Sequence, residues 1–342
     1  DNNEARLHIG RDDPTTTGSV TVTGSTAAVN VTGPDSAIRV GGFGQGVMTV
    51  ADGASVSIGG DNAVLTVAQE PGSTGSLLVS GGGTVDVGEG GGYLTVGGAY
   101  IDFGLPEGGT GSVTITGAGS RVSVVNDVEI GAPLTYGGGN SSGSVDVRNG
   151  GRLEAENVLV GLGGTLSGNG TVAANVHLDG GTILPGNSPG TIFVDGDFNM
   201  TAGEIYIEVA GIGLGEYDVI DVTGSATLAG GTFIFQFIDG YAPMESDTFE
   251  FLTAMGPITI EPDIEFLIAG LSPGLLFDIG VAGGSLLFTS LNDGVLIDVP
   301  EPSSLPIFLL GLLALAFSNS RARRIFRFGR ALVAGRALPQ SL

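Results

Sequence analysis

The 342-residue sequence contains no cysteine, no tryptophan and no lysine. Without cysteine there is no disulfide framework and no thiolate-held zinc or iron–sulfur centre. The basic complement is 12 arginines, set against 36 acids, for a net charge of -24. Nucleic acid is therefore excluded as a partner, because phosphate neutralisation needs a basic surface. Histidine occurs only at His8 and His177. Two histidines and no cysteine argue against catalytic zinc, and neither a metal site nor a cofactor is expected. Sustained helical apolar periodicity is also missing from residues 1–290.

What is abundant is glycine, 63 residues, against a usual share of about 7%. The glycines keep no three-residue period, which excludes collagen. Hydrophobic residues make up 42% of the chain and recur at regular positions, which argues against disorder. Charge is distributed unevenly. Residues 1–300 hold six arginines and 35 acids, a balance of -29, whereas residues 301–342 hold six arginines and only Glu301, a balance of +5. An acidic body with a basic tail predicts separate tasks for the two. Asp1 is not an initiator methionine and residues 1–30 hold no apolar signal core. The expectation is a removed leader or a segment of a longer protein.

A short apolar strand ending in a turn returns along the body. It reads Leu7-His8-Ile9-Gly10, Ile38-Arg39-Val40-Gly41, Val64-Leu65-Thr66-Val67, Tyr93-Leu94-Thr95-Val96, Val128-Glu129-Ile130-Gly131 and Val158-Leu159-Val160-Gly161, with starts 26 to 35 residues apart. Most units carry two further strands, such as Gly111-Ser112-Val113-Thr114-Ile115 and Arg121-Val122-Ser123-Val124. These strands are short, β-branched and alternating, so their period is two. Glycine pairs between them permit turns with positive φ. A three-strand unit cannot bury its apolar face alone, but a stack of such units can. Sandwiches and barrels also use short strands, yet a near-constant three-strand unit favours a solenoid. About twelve coils of about 25 residues at about 4.8 Å spacing predict a rod of roughly 60 Å.

From Gly163 to Phe237 the unit shortens toward about twenty residues. Gly163-Gly164-Thr165-Leu166-Ser167-Gly168-Asn169-Gly170-Thr171-Val172 is followed by the turn Pro185-Gly186-Asn187-Ser188-Pro189-Gly190. The segment Tyr217-Asp218-Val219-Ile220-Asp221-Val222-Thr223-Gly224-Ser225-Ala226 comes later. Residues 161–240 resemble the passenger-associated transport repeat of autotransporter-type surface proteins. That resemblance implies a right-handed parallel β-helix in an exported protein, and no particular activity. No region of alternating barrel strands is present, so the resemblance stops at the passenger.

The tail has three parts. Val299-Pro300-Glu301-Pro302-Ser303 precedes an apolar run from Leu305 to Phe317, and Arg321, Arg323 and Arg324 follow. This order resembles the PEP-CTERM sorting signal of Gram-negative bacteria. The resemblance implies export, an inner-membrane helix and processing by an exosortase near Pro-Glu-Pro. The physics agrees: prolines keep 299–306 extended, the apolar run is somewhat short for a span, and the arginines hold the following segment on the cytoplasmic side.

The expected architecture is thus all-β, a right-handed parallel β-helix followed by a C-terminal hydrophobic helix. Residues 1–160 form solenoid repeats, 161–240 passenger-type rungs, 241–298 a capping β region, 299–324 the sorting signal with its transmembrane helix, and 325–342 a basic tail. The expected protein is a non-enzymatic structural component of the surface or matrix. The membrane, an exosortase and extracellular polysaccharide are its expected partners. An adhesin or glycan-binding β-helix is the alternative, and a polysaccharide-active enzyme the weaker one. For an enzyme the candidate carboxylate pairs are Asp195 with Asp197 and Asp218 with Asp221, since glycosidases need two carboxyls in one cleft.

Overall fold

The computed structural model describes residues 5–11, 13–98, 108–132 and 141–296. The expected sorting segment, helix and basic tail lie outside them. Among the described residues the chain is entirely β, with no helix long and apolar enough to cross a membrane.

Three walls of parallel strands wind into a solenoid. Along the first wall the residues in register are Leu7, Ile38, Leu65, Leu94, Val128, Val158, Val176, Phe198, Ala226 and Ile258. That makes ten coils rather than about twelve, and nine steps of about 4.8 Å give roughly 45 Å. The sequence repeats beginning at Val64 and Tyr93 are set one residue early. Leu65 and Leu94 are the buried members, while Val64 and Tyr93 face outward and are half-buried. The second wall stacks Val20, Met48, Leu77, Val113, Val145, Leu166, Ile183, Ile205, Phe233 and Phe266. The third runs from Val29 through Val56, Val85, Val122, Leu153, Val172, Val194 and Val222 to Ala254.

Alternation explains the core. Every second side chain of each strand points into the solenoid, so valine, isoleucine and leucine from all walls meet in one interior. The other face carries polar ladders, for example Ser76, Ser112, Ser144, Thr165 and Thr182 on successive rungs of the second wall. Glycine ends several first-wall strands in a left-handed corner, which Ala68 also adopts with a φ of 63°. Gly97 has a φ of 72°, and a Cβ there would be driven into the Ser142 carbonyl of the next coil.

Coils shorten where strands run round corners. Arg152–Val160, Thr171–Pro185 and Phe198–Val209 each serve two or more walls. On the second wall the repeat falls to 21 residues from Val145 to Leu166 and 17 from Leu166 to Ile183. It recovers to 28 from Ile205 to Phe233. Toward the C-terminal end phenylalanine replaces the aliphatic interior. Phe235 lies 4.9 Å from both Phe251 and Phe288, and Phe249 stacks on Phe288 at 4.7 Å. The closing element is not another parallel rung. Phe277–Ala282 and Ser285–Ser290 pair antiparallel, and the second pairs antiparallel with Thr248–Ala254. The stack thereby gains a terminus that covers the edge of its third wall.

Candidate functional site

The most elaborated surface lies where the turn after Pro185 folds over the second wall. The strand Thr171–Pro185 ends there, and the chain resumes as a strand at Thr191. Between them residues 186–190 form a loop pinned from below by Asp218, which is 1% exposed. One carboxylate oxygen of Asp218 accepts the Gly190 N–H at 2.7 Å, and the other accepts the Glu208 N–H at 2.9 Å. Asp218 N–H in turn donates to the Glu208 carbonyl at 2.9 Å. A side chain at Gly186 would collide with the Asp218 carboxylate, so the turn tolerates only glycine there. Burial pushes the Asp218 carboxyl up to about 7, with the nearby Glu208 charge adding to the rise, while the two backbone N–H groups oppose it.

The loop and wall enclose a groove of about 310 Å³. Its floor follows outward positions of successive rungs, from Asp146 through Ser167 and Leu184 to Tyr206. Glu208 and its rung partner Gln236 form one side, and Asn187 and Ser188 the other. Ser188 donates its hydroxyl to the Glu208 carboxylate, and Tyr206 donates its hydroxyl to Glu204 at 3.1 Å. Burial raises the Tyr206 phenol, helped by Glu204. Burial likewise raises the Asp146 carboxyl, against the pull of Arg148 at 3.1 Å.

A second polar feature crosses the third wall. Arg121 and Arg152 stand on adjacent rungs, where like charges would repel. They are held by acids: Arg121 meets Asp86 at 2.7 Å and Glu154 at 3.5 Å, and Arg152 meets Glu154 at 2.8 Å and Asp195 at 3.3 Å. The network spans five successive coils, with Arg152 reaching past the Val172 rung to Asp195. On the first wall, Glu129 is only 8% exposed, and burial next to Asp127 pushes its carboxyl up to about 7. It lines a cavity of about 50 Å³ with Asp179.

The candidate carboxylate pairs do not form a single catalytic arrangement. Asp218 is buried beneath the loop, while Asp221 faces outward and accepts the Thr253 hydroxyl at 2.7 Å. Asp195 accepts from Thr223 at 3.2 Å, and Asp197 from the Ser225 N–H at 2.7 Å. All four therefore serve as links between coils or segments. His177 occupies an outward first-wall position beside Leu159 and Asn199. The sorting residues Val299, Pro300, Glu301, Pro302 and Ser303 lie outside the described residues. So do the helix limits Leu305 and Phe317 and the basic residues Arg321, Arg323 and Arg324.

Sequence reasoning missed Tyr206, Glu208, Gln236 and Glu129 as notable residues. Their signal was present in strand alternation, since each falls on the outward side of an otherwise regular strand. No family model matches the chain, and no curated protein matches it either.

Proposed function

We propose that this chain is an exported, non-enzymatic structural protein of the cell surface or extracellular matrix. Its body is the rigid working part and its tail is an address. The observation that carries this reading is the ten-coil stack with serine and threonine ladders on its outward face. Such a rod is stiff, because each coil is hydrogen-bonded to its neighbours along three walls. The excess of acid over base in residues 1–300 keeps it solvated. The right hand assigned to the helix accords with the general preference of parallel β connections.

The delivery step rests on the order of the tail. Val299-Pro300-Glu301-Pro302-Ser303 precedes the apolar run Leu305–Phe317, and Arg321, Arg323 and Arg324 follow. In this reading the run holds the precursor in the inner membrane, and an exosortase cleaves near Pro302. Cell fractionation tests it. The wild-type chain is expected outside the cytoplasm. A variant carrying Pro300→Ala, Glu301→Ala and Pro302→Ala is expected to remain with the inner membrane. A wild-type chain confined to the cytosol would overturn the reading.

A second reading, a glycan-binding surface protein, is favoured by the mixed apolar and polar groove over the second wall.

A further inference from the structure

We propose that the groove between the 186–190 loop and the second wall binds a neutral polysaccharide chain along the solenoid axis. The proposal deepens the surface-protein reading and rests on it for its biological setting.

The first argument is shape. The floor positions Asp146, Ser167, Leu184 and Tyr206 belong to successive rungs, and Gln236 lies one rung further. At about 4.8 Å per rung, the trough is roughly 19 Å long. A volume of about 310 Å³ over that length is narrow and elongated. It suits an extended chain better than a compact ligand. An added peptide strand is excluded here, because the second-wall strands beneath the groove are already paired on both sides.

The second argument is the lining. Before the groove this same outward row carries Thr21, Thr49, Leu78 and Thr114, with Leu78 its one earlier apolar member. Under the loop it becomes Leu184 and Tyr206, with Leu184 38% exposed. An exposed aliphatic side chain beside an aromatic ring offers a flat apolar patch. A pyranose ring presents a C–H face of the same kind, with hydroxyls round its rim. Around the patch stand the planar polar groups of Glu208, Gln236 and Asn187. The amides of Gln236 and Asn187 make no hydrogen bond within the described residues, so their donors and acceptors are available. An apolar platform with a few convergent polar groups is how small-molecule sites fix orientation.

The third argument is charge and rigidity. Glu208 presents a carboxylate to the groove and Asp146 a second one, with Arg148 the cation paired to Asp146. An acidic polymer such as a uronate chain would meet like charge, whereas a neutral one would not. The loop needs little ordering on binding, since Asp218 and the Ser188–Glu208 hydrogen bond already hold it.

The test uses the purified full chain in mild detergent. Binding is measured by calorimetry to neutral oligosaccharides of glucose, galactose, mannose and xylose, with oligogalacturonate as the acidic comparison. At least one neutral series is expected to bind better than oligogalacturonate. Tyr206→Ala and Gln236→Ala are each expected to weaken that binding about ten-fold, a loss of about 1.4 kcal/mol. Thr114→Ala, on the same row beyond the groove, should leave it unchanged. Thermal melting checks the fold of each variant, and Gln236→Ala alone decides if Tyr206→Ala does not fold. No binding to any neutral series, preference for oligogalacturonate, or wild-type binding by Gln236→Ala would overturn the proposal. Neutral-glycan binding by a chain that fractionates with the cytosol would leave the groove intact and overturn the surface reading instead.

Discussion

The Asp218 carboxylate and the Gly190 amide lie 2.7 Å apart although 28 residues separate them in sequence. This contact joins the turn Pro185-Gly186-Asn187-Ser188-Pro189-Gly190 to the segment beginning Tyr217-Asp218. In the sequence these are two separate motifs, and in the fold they are one construction. A buried carboxylate replaces the missing strand partner for two backbone amides. The loop is held over the wall, and the groove exists because of it.

Removing that carboxylate should loosen both sides. Asp218→Ala leaves the Gly190 and Glu208 N–H groups without their acceptor. The expected cost is about 2–3 kcal/mol, read from urea unfolding of the full chain. A loss below about 0.5 kcal/mol would mean that the loop does not depend on Asp218.

Two glycines separate backbone strain from coil stacking. Gly72 has a φ of 81° with open space where a Cβ would go, and Gly97 has a φ of 72° with the next coil's backbone in that place. Gly72→Ala should cost about 1 kcal/mol, the price of a left-handed alanine. Gly97→Ala adds a collision between coils, so its cost should exceed that of Gly72→Ala by about 2 kcal/mol or more. Equal melting temperatures for the two variants would contradict the coil spacing described here.

How much of this was legible in the sequence depends on range. Valine-x-valine alternation, with glycine at the corners, fixed the strands and the solenoid. The apolar pattern sets these two repeats one residue early, because Val64 and Tyr93 extend it ahead of Leu65 and Leu94. Proximity in the sequence pairs Asp218 with Asp221. The parity of the strand would have corrected this: Asp218, Ile220 and Val222 share one side and are buried, whereas Asp221 faces out. The groove was not legible, because its lining comes from Asp146, Ser167, Leu184, Tyr206 and Gln236. These residues meet only once the shortened coils have set their register.

The two buried carboxyls predict a pH dependence. Burial pushes the Asp218 and Glu129 carboxyls up to about 7 in the folded state, from ordinary carboxylate values of about 4. Between those limits the folded state binds more protons than the unfolded state, so stability falls as pH rises. The melting midpoint should therefore be higher at pH 5 than at pH 8 and change little above that. Glu129→Gln with Asp218→Asn should flatten the profile between pH 5 and pH 8. An unchanged slope in the double variant would assign the dependence to other groups.

The central claim is that an acidic β-solenoid is delivered outside the cell by its tail. Mass spectrometry of the native protein's C-terminus, in fractionated cells and culture medium, tests it most directly. The account predicts a mature chain ending near Pro302, found outside the inner membrane. A chain that retains Leu305–Phe317 and stays in the membrane fraction would contradict processing and make the tail a permanent anchor.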